Sequence, residues 1–211
     1  MTYKYIALLL IDVQKAFDDI EYWGSLPSNP KVERNITDIL QCFRELGQPN
    51  DRPLIIHFYH KSDNPESPFH PDDSRSHFHD YARPNPNASN ELVLSKMVNS
   101  CFIDTPLEET LREHKIQRLY VAGITTDHCV STTIRMAGNL KVTDWVDHAG
   151  LRNNGDGPFL VEDATSTFAR GDFDAKTVHA VHAESLKEFA TVVKTMDVLH
   201  SLTSKGPMLE A

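Results

Sequence analysis

Three residues separated by long stretches of chain, Asp12, Lys96 and Cys129, carry side chains that together could run an acyl transfer. A thiol near its free pKa is only slightly ionised at neutral pH, so a nucleophilic cysteine needs a neighbour that stabilises its thiolate or takes its proton. Lys96 could supply the first and Asp12 the second, and the carboxylate could later return the proton to a leaving amine or alcohol. Peptide N–H groups in the turn from Gly123 to Cys129 could hold the oxyanion formed on the attacked carbonyl. Water would then hydrolyse the thioester. Taken singly, each residue has a plainer reading: a cysteine at a helix start is often a small buried filler, an aspartate after a strand can cap a helix, and a strand-end lysine can be a solvated charge. Those readings leave the occurrence of all three together without a reason.

Each of the three follows a segment with the pattern of a strand. Ile6 to Ile11 is continuously apolar and ends on Asp12-Val13-Gln14, as a buried parallel strand does where it opens into a loop. Leu54 to Phe58 is a second such strand, and Glu91 to Ser95 a short third directly before Lys96. Arg118 to Gly123, the fourth, runs through Ile124-Thr125-Thr126-Asp127-His128 into Cys129. Cys129 is therefore expected at or near a helix N-terminus, whose partial positive charge favours a thiolate. Phe159 to Val161 and Thr191 to Val193 complete six strands.

Helical spacing of apolar residues predicts helices over Pro30 to Leu46, around Leu107, Leu111 and Ile116 with Asp104 or Thr105 as cap, from Cys129 to Gly138, over Val178 to Phe189 and over Thr195 to Leu202. The alternation points to an α/β chain with a three-layer, Rossmann-like fold: a six-stranded, mainly parallel sheet flanked by helices, with ligands beyond the carboxyl ends of the strands. One domain is expected over residues 1–205, with 206–211 as a frayed tail. The stretch from Lys61 to Asn90, rich in Pro, Ser, Asp, Asn and His, is a loop of the length that usually serves function.

The formal charge of -9, with acids and bases interleaved, argues against nucleic acid or an anionic membrane as partner and leaves a small-molecule substrate. The N-terminal apolar run is too short for a membrane span and lacks a signal-type cleavage region. Three widely spaced cysteines fit reduced thiols in a cytoplasmic protein. Cys42 and Cys101 are expected to be packing residues. No CxxC pair, GxGxxG or P-loop is present, and no cofactor is expected. His57, His60, His70, His77 and His79 crowd one region, but ligation needs convergent geometry, so hydrogen-bonded or solvated imidazoles are the default and no metal is expected.

Ile11-Asp12-Val13-Gln14 followed by Phe17, Ser95-Lys96 followed by Asn99-Ser100-Cys101-Phe102, and Gly123-Ile124-Thr125-Thr126-Asp127-His128-Cys129-Val130 together resemble the isochorismatase-like cysteine hydrolase superfamily. Val161-Glu162-Asp163-Ala164-Thr165 looks like the end of that family's fifth strand, so the resemblance covers nearly the whole chain. It implies that Asp12, Lys96 and Cys129 are the catalytic triad, that the Ile124–Thr125 peptide is cis, and that the amides of Thr125 and Cys129 form the oxyanion hole. It also implies a substrate lined by Gln14, Phe17, His60 and Phe102, and a homo-oligomer.

Members of that superfamily include nicotinamidases, N-carbamoylsarcosine amidohydrolases, ureidoacrylate and biuret hydrolases, and isochorismatases. Nicotinamidases carry an Asp-x-His metal motif after the second strand; here the segment is His57-Phe58-Tyr59-His60-Lys61, without the carboxylate. Isochorismatases that cleave a vinyl ether typically lack the cysteine, so Cys129 shifts the expectation toward a small amide, carbamoyl or ureido substrate, with isochorismate cleavage to pyruvate as the alternative. Lys61 to Phe69 looks like the loop of metal-free members, and Leu140 to Gly157 is longer than the family's usual turn. From other classes, a receiver-type signalling domain would want clustered acids for magnesium where the first strand ends in one aspartate, and a silent binding domain would share the fold without turnover.

Overall fold

The computed structural model describes residues 2–24 and 27–203, so the expected tail at 206–211 lies outside the described residues. In chain order the elements are β1 (Ile6–Ile11), the single turn α1 (Ile20–Trp23), α2 (Val32–Glu45), β2 (Leu54–His60), β3 (Glu91–Lys96), α3 (Leu107–Glu113) and β4 (Arg118–Ile124). Then follow α4 (Ser131–Leu140), β5 (Trp145–Val146), β6 (Arg152–Asn153), β7 (Gly157–Ser166), α5 (Ala175–Ser185), β8 (Thr191–Val193) and α6 (Thr195–Thr203). Six strands form one sheet in the order β3-β2-β1-β4-β7-β8, parallel at every pairing. Strand order reverses between β1 and β4, which opens a crevice at their carboxyl ends.

Both sheet faces are covered, which is why β1 is apolar at every position rather than at alternate ones. Leu9, Ile11, Ile56, Phe58 and Val121 pack on one face with Leu107 and Leu111 of α3 and Ile134 and Ala137 of α4. Leu8, Leu10, Ile55 and Tyr120 pack on the other with Ile36, Ile39, Leu40 and Phe43 of α2 and Val198 and Leu202 of α6.

β4 comes so close to β1 that only a glycine fits where they meet. Gly123 has φ +122°, and a Cβ there would lie 2.1 Å from the Ile11 carbonyl oxygen. Gly123→Ala is expected to cost about 2–4 kcal/mol, from backbone overlap plus a disfavoured φ. Urea unfolding measures this, and a midpoint equal to that of the natural chain would show that the strands can separate freely.

Several boundaries differ from those expected. β2 continues past Phe58 to His60, and Lys96 is the last residue of β3, with the two side by side in register. β7 extends well beyond Val161 because its carboxyl half re-pairs with β4 after a bulge between Val121 and Gly123. The α3 helix stops at Glu113, and Lys115, at φ +51°, turns Ile116 back into the core. The α5 helix starts earlier than Val178, capped by Asp174 on the Thr177 amide, and ends in a 3-10 turn over Leu186–Glu188. In place of an unstructured connection, Leu140 to Gly157 holds the antiparallel pair β5–β6. The long loop after β2 is pinned by backbone bonds from Lys15 N to His77 O and from His79 N to Val13 O, each 3.0 Å.

Glu91 ties this loop and α2 to the edge of the sheet. Its carboxylate accepts from Arg44 Nε at 2.7 Å, Arg44 Nη2 at 2.9 Å and the Asn85 amide at 2.8 Å, with His57 Nε2 at 3.2 Å. Burial alone would raise its pKa, but these donors outweigh burial and hold it at about 2, against an ordinary value of 4.5. Because the folded value is the lower one, the stabilisation is full above pH 4.5 and is lost as pH falls toward 2. The thermal midpoint should therefore drop across that window, and Glu91→Gln should flatten the slope. An equally steep slope in the variant would assign acid sensitivity elsewhere.

Candidate active site

The pleat of the sheet explains how the chemistry is gathered. On β2 and β3 the residues Ile56, Phe58 and His60 lie opposite Leu92, Leu94 and Lys96, and Phe58, Leu92 and Leu94 all pack in the core that also holds Cys129. Period-two alternation therefore carries His60 and Lys96 to that same face, at the carboxyl edge. Asp12 follows β1 directly, its φ of +52° turning the chain out of the sheet while its amide still donates to the Phe58 carbonyl at 2.9 Å.

The Lys96 ammonium stands at the centre. Nζ is 2.5 Å from Asp12 Oδ2, 3.3 Å from Cys129 Sγ and 3.5 Å from His60 Nδ1, three partners for its three hydrogens. Asp12, Lys96 and Cys129 are 0, 3 and 8% exposed, so these charges act with little screening by water. Burial, the largest single influence, would lower the lysine pKa, but the surrounding charges, Asp12 foremost, together outweigh it and the net shift is upward, favouring the ammonium. For Cys129, burial pushes the pKa up and the Asp12 charge adds to that, with Lys96 opposing. The net direction is upward, which favours the thiol form. Asp12 Oδ1 is buried and has no hydrogen-bond partner among the described residues, so it is an open acceptor for a proton. Burial, with Lys96 adding, lowers the His60 pKa and favours a neutral imidazole.

Cys129 sits inside a π-helical turn, Thr126–Val130, that runs into α4, rather than on the first residue of a regular helix. The Ile124–Thr125 peptide preceding it is cis. The Thr125 carbonyl accepts from the amides of His128 at 3.1 Å and Val130 at 3.2 Å. Side chains brace the turn from below: Asp127 accepts from Arg170 Nε at 2.7 Å and from Thr167 Oγ1, and Thr126 Oγ1 lies 3.0 Å from His179 Nδ1. Burial would raise the Asp127 pKa, but Arg170 and Thr167 outweigh it and hold it at about 2.

The other expected site residues separate into different positions. Gln14 is fully buried, donates to Ser76 O at 2.6 Å and His60 O at 3.1 Å, and accepts from His60 N at 2.8 Å. Its amide is spent on backbone, so it clamps the loop to β2 and has no donor left for a ligand. Phe17 stacks on Trp23 at 4.9 Å and meets Phe69 at 5.2 Å, while Trp23 stacks on Phe168 at 5.1 Å and Phe69 meets His60 at 5.2 Å. These rings line up beside the triad. Phe102 is partly buried and packs against the core on that face of the sheet. No role was expected for Trp23, Phe69, Phe168, Asp127 or Arg170, since they come from loops after four different strands.

Asp12, His60 and Cys129 each present a potential ligand atom, all within 4.8 Å of one another. Lys96 Nζ touches all three, so a divalent cation there would have to displace a buried ammonium. Among the described residues, no helix is long and apolar enough to cross a membrane.

The isochorismatase domain family matches residues 6–197. The isochorismatase-family protein YrdC of Bacillus subtilis is 38% identical over 200 residues, covering 92% of this chain and 94% of that one. A streptothricin hydrolase of Streptomyces noursei is 30% identical over 131 residues, 62% of this chain and 48% of that protein. Among solved structures, an isochorismatase-family protein from Chromobacterium violaceum superposes with a TM-score of 0.79 at 33% identity, covering 96% of this chain and 95% of that one. A cysteine hydrolase from Pseudomonas syringae has TM-score 0.75 at 19% identity over 95 and 93% of the two chains, a likeness of fold alone.

Proposed function

Because this chain belongs to the isochorismatase family and is a hydrolase of that family, we propose that it cleaves a small amide, carbamoyl or ureido compound through a thioester on Cys129. One observation carries the reading: a buried ammonium touching both a thiol and a carboxylate whose second oxygen is open. Asp12 Oδ1 takes the thiol proton as Sγ attacks the carbonyl carbon, and Lys96 steadies the thiolate as it forms. The oxyanion is held by the amides of Thr125 and Cys129. Collapse breaks the C–N bond, and the leaving amine takes the proton from Asp12. Water then gives a proton to Asp12 and adds to the thioester, releasing the acid and restoring the thiol. The rings of Phe17, Trp23, Phe69 and Phe168, with His60 at their edge, supply the wall against which the body of the substrate rests.

The streptothricin hydrolase relative fits a hydrolytic role, though it matches less than half of that protein. A panel of small carboxamides, carbamoyl amino acids and ureido acids, assayed for ammonia release beside isochorismate assayed for pyruvate, decides the bond type. Ammonia from at least one panel member is expected. Pyruvate from isochorismate with no ammonia from any amide would contradict the reading.

A further inference from the structure

A cleft of about 630 Å³ lies away from the triad, walled by Tyr59 and Phe78 and ringed by Lys15, Lys61, His77 and Arg83. Tyr59 neighbours His60 on β2 and so projects from the opposite face. The two sites are parted by the segment around Gln14, which pairs with Phe78 and whose amide holds Ser76 and His60 together. Its volume falls in the range of small-ligand sites. The rings of Tyr59 and Phe78 meet edge to face at 5.7 Å, and the Lys61 ammonium lies 5.2 Å from the Tyr59 ring centroid.

We propose that this cleft binds a planar aromatic ring carrying a phosphate, of nucleoside monophosphate size. In a chain of net charge -9, the cleft wall carries three permanent cations and no carboxylate among the described residues. Asp80, largely exposed and outside the lining, pairs with Lys15 at 3.8 Å and with Arg83 at 2.5 Å and offsets one of those charges. Two remain uncompensated, which matches a phosphate dianion better than a single carboxylate. The aromatic walls offer faces and edges for a flat ring, and the lysine over Tyr59 can turn from the ring to the phosphate without leaving the cleft.

The test is calorimetric titration of the full chain with AMP and UMP at low ionic strength. It is repeated on protein alkylated at Cys129, on Lys61→Gln, on the double variant Lys61→Gln/Arg83→Gln, and with inorganic phosphate as ligand. Equal binding by native and alkylated protein is expected. Binding should weaken in Lys61→Gln and fall about tenfold or more in the double variant, and phosphate alone should bind about tenfold weaker for want of the ring. The proposal is overturned if neither nucleotide binds at millimolar concentration, if alkylation blocks binding, if the double variant binds undiminished, or if phosphate binds as tightly as the nucleotides.

Discussion

Alanine in place of Cys129 should lower turnover about a thousandfold or more while the protein stays folded. The sulfur is the atom that bonds to the acyl carbon, so no neighbour can substitute for it: Lys96 is held as an ammonium, and Asp12 is positioned to move protons. The structural cost is small, because removing one buried sulfur leaves a cavity worth about 1 kcal/mol. Serine should be nearly as poor, since its hydroxyl is far harder to ionise beside the same carboxylate. Turnover and urea midpoint measured on the same preparations separate chemistry from stability, and an alanine variant with full activity would remove Cys129 from the mechanism.

Replacing Lys96 with methionine should damage both activity and stability, and the two effects can be pulled apart. The variant leaves Asp12 buried without its cation, an error worth about 3–5 kcal/mol. The thiolate formed on attack also loses the cation that steadies it. Turnover should fall about a hundredfold or more. Adding Asp12→Asn should recover much of the stability, because the uncompensated charge is gone, while activity stays lost. If the double variant is no more stable than Lys96→Met alone, the two groups are not coupled as their 2.5 Å contact requires.

The convergence of Asp12, Lys96 and Cys129 was legible from sequence because each sits next to a feature that survives without tertiary information. Asp12 ends a run of six apolar residues and Cys129 follows the β-rich segment ending at Gly123. Lys96 was harder, since β3 is an edge strand with half-exposed positions and no clean apolar run. The extension of β2 to His60 was hidden because its last residues gain their partners from β3 and the Gln14 amide rather than from their own propensity. Of the aromatic row only Phe17 had a signal in the sequence, as Trp23, Phe69 and Phe168 join it through packing between loops after three strands. The bonds of the Gln14 side chain to two carbonyls and an amide, which tie the loop to β2, had no signal in the sequence. A π-turn was equally out of reach, because Thr126 to Val130 carries no residue pattern that separates it from the start of an ordinary helix.

Intact-protein mass spectrometry after a rapid acid quench, on enzyme mixed with an amide it turns over, tests the thioester most directly. The expected result is a mass gain equal to the acyl fragment, confined to the peptide containing Cys129 and absent from Cys129→Ala. Steady turnover with the chain at its unmodified mass at every quench time, or an adduct on another residue, would contradict covalent catalysis by this thiol.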